Sequence, residues 1–90
     1  MMSLKKYPFI SNQSEFSMEL TCKEVVDSLE NIRYTTYGLR VLDEEGGILF
    51  AAEDVDTNKA FVERFIEFCA GSDINLIHVP DLLEDYMAER

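Results

Sequence analysis

The chain has 90 residues, 47% of them hydrophobic, with eighteen acids, eight bases and a formal charge of −10. That length suits one domain able to fold without disulfide or metal staples, and the apolar content excludes a disordered polyelectrolyte. The charge is uneven: through Leu42 five acids balance five bases, whereas from Asp43 onward thirteen acids face Lys59, Arg64 and Arg90.

Residues 1–14 read as an irregular or extended N-terminal arm. Tyr7-Pro8-Phe9-Ile10 is its extended part, since the residue before a proline avoids the helical region. Ser11-Asn12-Gln13-Ser14 reads as a loop. Phe16, Met18, Leu20 and Cys22 then alternate with Ser17, Glu19, Thr21 and Lys23, the period of a half-buried strand. Residues 21–30 fit two readings. Thr21-Cys22-Lys23-Glu24 resembles a capping box that would place Val25, Val26 and Leu29 on one helical face. The favoured reading continues the strand to Val26 and turns at Asp27-Ser28, because paired valines suit a sheet.

Ile32 through Leu42 is rich in β-branched and aromatic residues and is the strongest strand, with Gly38 marking a bulge or a close backbone approach. Asp43-Glu44-Glu45-Gly46-Gly47 reads as a hairpin loop and Ile48–Glu53 as its partner strand. A helix follows, capped by Asp56 or Thr57, with Phe61, Val62, Phe65, Ile66 and Cys69 on one stripe and Gly71 as its C′ stop. After Ser72–Ile77, Pro80 suits a first helical position and Asp81 the positive end of the dipole. Leu82, Leu83, Tyr86 and Met87 give this last helix its apolar stripe. The expectation is a single α+β domain over 1–90: about three antiparallel strands in a meander, then two C-terminal helices packed on one face.

The second half carries further pattern. Tyr37-Gly38-Leu39-Arg40-Val41, a glycine-containing hairpin, a Phe/Val/Ile helix and Ile77-His78-Val79-Pro80-Asp81-Leu82-Leu83-Glu84-Asp85-Tyr86 occur in that order. Together they resemble a family of small bacterial proteins, a domain of unknown function common in Firmicutes. The likeness covers roughly residues 34–88. Val79-Pro80 departs from the usual leucine and variable residue, and residues 1–30 match nothing in the pattern. The resemblance implies a compact bacterial cytosolic fold and carries over no functional residue and no cofactor.

Few residues carry chemistry. Cys22 and Cys69 form neither a CxxC nor a zinc pattern, and Cys69 falls on an apolar stripe where a thiol acts as a small hydrophobe. His78, with Asp81 at i+3 and Asp85 at i+7, is a weak candidate metal or small-ligand site; the bland alternative has His78 orienting the helix entry through hydrogen bonds. Asp54 and Asp56 lack calcium-loop spacing. There is no nucleophile elbow and no phosphate-cradling glycine motif, so an enzyme is not expected. Scattered bases disfavour direct nucleic-acid binding, and the acidic half leaves open an acidic inhibitor or nucleic-acid mimic. The start lacks the apolar run of a signal peptide and no stretch is long enough to span a bilayer, so a cytoplasmic protein without membrane contact is expected.

Strict alternation places Leu49 and Ala51 on one face of the last strand and Leu42 on the same face of its neighbour. Two short helices can cover only the other face. Leu42, Leu49 and Ala51, with Glu84 and Asp85 on the last helix, are therefore the candidate interaction surface, for a protein partner or a second copy in a homodimer.

Overall fold

The computed structural model describes residues 2–11, 14–72 and 74–89. Four strands, β1 (Met2–Ser11), β2 (Ser14–Asp27), β3 (Ile32–Leu42) and β4 (Ile48–Asp56), precede helix α1 (Lys59–Gly71), a 3₁₀ turn (Leu76–His78) and helix α2 (Val79–Ala88). The strands form one antiparallel sheet in sequence order. The α+β expectation holds, but the sheet has four strands rather than three. The added strand is the segment expected to be an arm. Of the loop expected at Ser11–Ser14, Asn12 and Gln13 lie outside the described residues.

β1 escapes a period-two reading for two reasons. A bulge between Ser3 and Lys5 breaks its alternation, and Pro8 sits mid-strand opposite Ser17. Proline lacks the N–H an interior ladder needs, and an edge strand tolerates that. The ambiguity at 21–30 resolves as strand: β2 runs on to Asp27, whose Oδ1 accepts from the N–H groups of Leu29 (3.0 Å) and Glu30 (3.3 Å) to close the turn. Asn31 takes the left-handed conformation (φ 55°), which Asn accepts more readily than most residues.

The register sorts side chains into rows. Tyr7, Met18, Val41 and Phe50 cross the sheet together on one face, as do Phe9 with Phe16 and Leu20 with Leu39 and Ala52. All of these belong to, or pack against, one core with Val62, Phe65, Ile66 and Cys69 of α1 and Val79 and Leu83 of α2. α1 touches all four strands. α2 docks on α1 through Tyr86, whose ring lies 4.4 Å from that of Phe61 and whose hydroxyl donates to the Phe61 carbonyl (2.7 Å).

Several local expectations shift. The N-cap of α1 is Asn58, whose side chain accepts from the Phe61 N–H (3.4 Å); Asp56 instead accepts from the Asn58 N–H (2.9 Å) in a preceding turn. Gly71 ends the helix from within, and the chain leaves through an extended Ser72 rather than a left-handed glycine. Pro80 is the second residue of α2, behind Val79.

Gly38 behaves as its position suggests. Between the Tyr37–Asp56 and Leu39–Ala52 pairs β4 carries extra residues, and this bulge passes over Gly38. A Cβ there would collide with the Ala52 carbonyl oxygen. Asp54 within the bulge adopts φ 57°, and its Oδ1 accepts from the buried Thr36 hydroxyl at 2.6 Å.

Candidate functional site

The residues singled out from sequence scatter over three places. His78 is exposed at the N-cap of α2 and makes no side-chain cap bond there. The entry is ordered by Asn75, whose Oδ1 accepts from the Ile77 N–H (3.2 Å). Asp81, Glu84 and Asp85 all lie exposed on α2. Among the described residues no group of three or more His, Cys, Asp or Glu side chains is placed to hold a metal ion. The structure does not build His78, Asp81 and Asp85 into a coordination site.

The expected apolar patch is also divided. Leu42 is 5% exposed, not solvent-facing, although it stands outside the core cluster. The register slips between Val41 and Leu42, so that Ile48, not Leu49, pairs with Leu42. That extra residue reverses the parity that strict alternation assigns to the strand's start. Leu49 borders Val41, Phe50, Leu76, Ile77 and Pro80 on the helix side. Ala51 does lie exposed on the open face, paired with Arg40.

The open face is polar at its centre. One row runs Lys6, Glu19, Arg40 and Ala51, and the Arg40 guanidinium pairs with Glu19 at 3.2 Å. Glu19 is buried, so its partner satisfies a carboxylate that would otherwise be costly to desolvate. At the neighbouring end, Lys23 reaches Glu53 (3.1 Å), a pair too exposed to contribute much.

Three surfaces remain as candidates. The first is a wide depression of about 670 Å³ beside the Asp43–Gly47 turn, bordered by Lys6, Glu15, Glu44 and Glu45. Asp43 there is already committed to the turn, accepting from the Glu45 (2.9 Å) and Gly47 (2.7 Å) N–H groups. The second is the groove that Leu49 lines. The third is the outer part of the β2–β3 hairpin. Among the described residues β1 pairs with β2 no further than Cys22, and β4 with β3 no further than Tyr37. Beyond those points the hairpin continues as a two-stranded ribbon carrying exposed Val26, Leu29, Ile32 and Tyr34, with Leu29 96% exposed at the turn. Sequence reasoning identifies these residues as strand and turn. It misses their exposure because the alternation of β2 does not reveal where its neighbours stop.

Of the two thiols, Cys69 is fully buried on the apolar stripe of α1, and burial pushes its pKa from 9.0 to about 11. Cys22 is half-buried. No helix among the described residues is long and apolar enough to cross a membrane.

Comparison with known proteins finds no matching family model, no similar curated protein and no similar solved structure. The likeness to the Firmicute family therefore rests on the residues quoted for it.

Proposed function

We propose that this chain is a non-enzymatic bacterial, cytoplasmic protein that works by binding another protein, in a regulatory or accessory role, and that it also pairs with itself. Membership of the Firmicute family is part of the same proposal. The β2–β3 ribbon is the observation that carries it. A two-stranded hairpin is marginally stable alone in water, and this one spends apolar side chains on solvent at Val26, Leu29, Ile32 and Tyr34. Its charges nearly balance, with Lys23 and Arg33 against Glu24, Asp27 and Glu30, and Arg33 lies 3.6 Å from Glu24. A partner can approach there without meeting the net charge of the rest of the molecule.

The test is a Leu29→Ser/Ile32→Ser/Tyr34→Ser variant, checked for folding by circular dichroism. The wild-type chain is expected to capture a protein from extracts of its native host and to sediment as a dimer, and the folded variant to do neither. Equal behaviour of the two proteins in both assays would overturn the reading.

A further inference from the structure

We propose that the groove between β4 and the start of α2 seats a cationic polypeptide segment bearing an aliphatic side chain. This goes beyond the ribbon reading and uses a different surface. Six residues, Val41, Leu49, Phe50, Leu76, Ile77 and Pro80, line an opening of about 220 Å³. That exceeds the roughly 150 Å³ that accommodates a benzene-sized group.

Three separate local devices put apolar side chains around this opening. The extra residue of the β4 bulge brings Leu49 to it, in the way bulges commonly re-aim a side chain. The Asn75-capped turn holds Ile77, which is 73% exposed. Pro80, in the first turn of α2, forms the remaining wall. Leu49 is itself 49% exposed. A binding segment would therefore bury apolar surface on both sides of the groove.

The rim selects the sign of the occupant. On α2, Glu84 follows Pro80 by one turn and Asp81 follows Ile77 by the same spacing, with Asp85 alongside. The acids of the Asp43–Gly47 turn, Glu44 and Glu45, border the separate depression beside Lys6 and Glu15, so the acidic border of this groove is that of α2. Neither β4, the 3₁₀ turn nor the described part of α2 carries a lysine or arginine; Lys59 and Arg64 are on α1. Nucleic acid and anionic membranes are repelled by this rim. A second copy, itself at −10, is poorly matched. A polypeptide with Lys or Arg flanking Leu, Ile or Val matches both the apolar floor and the acidic border. Because bulges interrupt β4, the segment is held by its side chains and not by adding a strand to the sheet.

The probe is a short labelled peptide of lysines flanking two leucines, with a lysine–serine peptide as control. It is titrated by fluorescence anisotropy and mapped by NMR on the isotope-labelled full chain. Saturable binding is expected, with shifts at Leu49, Phe50, Ile77 and Glu84, weakened about tenfold by Ile77→Ser or Leu49→Ser. Glu84→Gln/Asp85→Asn should weaken it severalfold and flatten its salt dependence. The ribbon variant should bind this peptide unchanged, so that the two surfaces fail or succeed separately. Equal binding of the lysine–serine peptide, no saturation at millimolar peptide, or indifference to Ile77→Ser would overturn the proposal. So would a dimer of the wild-type chain that Ile77→Ser dissociates, since the groove would then belong to a second copy.

Discussion

β2 and β3 pass through two different surroundings without a break. Between Phe16 and Cys22, and between Tyr37 and Leu42, they are flanked by β1 and β4, with α1 across one face, and Met18, Leu20, Leu39 and Val41 are wholly buried. A few residues further on, the same two strands pair only with each other among the described residues, and Val26, Ile32 and Tyr34 are exposed, Tyr34 beside Asp54–Thr57 at the end of β4. The pairing between them is continuous from Ser17–Leu42 to Asp27–Ile32. What changes is the company they keep. Both parts are rich in β-forming residues, so it is the reach of the neighbouring elements that decides which apolar residues become core.

Perturbations of the body and the ribbon should therefore differ sharply. The largest effect is expected from Gly38→Ala. The β4 backbone crosses this position, and a methyl group must displace the Ala52 carbonyl, so the body should lose more than about 3 kcal/mol or fail to fold, read by urea denaturation. Next comes the buried thiol of Cys69. Its pKa is higher in the folded chain, so the neutral form is the one folding favours. That contribution is full below pH 9, declines as pH rises from 9 towards 11, and is then gone, a loss of about 2–3 kcal/mol. Denaturation at a series of alkaline pH values should show a steeper decline for wild type than for Cys69→Ala, and parallel curves would contradict it. Tyr86→Phe keeps the ring stack on Phe61 and Phe65 but removes the hydrogen bond to the Phe61 carbonyl. It should cost about 1 kcal/mol. The smallest stability effect belongs to the ribbon: Leu29→Ser should change the unfolding free energy by less than about 0.5 kcal/mol. Hydrogen exchange sharpens the contrast, with amides from Glu24 to Tyr34 exchanging well before those of Leu20, Leu39 and Val41.

Much of this architecture is legible in residue order, and the failures have identifiable causes. The three expected strands and both helices are present: the first strand and the helices carry an apolar period, Ile32–Leu42 is rich in β-branched and aromatic residues, and Ile48 onward follows a hairpin loop. Gly38 is legible because a glycine weakens a β-branched strand unless another stretch of backbone needs the space. β1 is hidden by its bulge and by Pro8, which together remove the alternation that advertises a strand. Leu49 lies on the face opposite to the expected one because one inserted residue breaks the alternation at the start of β4, while Phe50, Ala51 and Ala52 keep theirs. The cap of α1 falls at Asn58 rather than at Asp56 or Thr57, and Asp56 forms its own turn two residues earlier. The candidate surface is only partly legible: Glu84 and Asp85 are exposed on α2, but Ile77 of the groove sits in a connection that carries no period.

The two free edges of the sheet bear on how the protein behaves at high concentration. A long, regular edge strand invites stacking of one molecule's sheet onto another's. Here β4 is irregular at both ends, which leaves little beyond Phe50–Ala52 in straight register with β3. β1 has its own slip near Lys5, then Lys6 and Pro8, which offer a charge and a missing donor to any incoming strand. With ten net negative charges added, end-on-end sheet growth into fibrils is disfavoured from either side, and the molecule can display an apolar ribbon without polymerising through its borders.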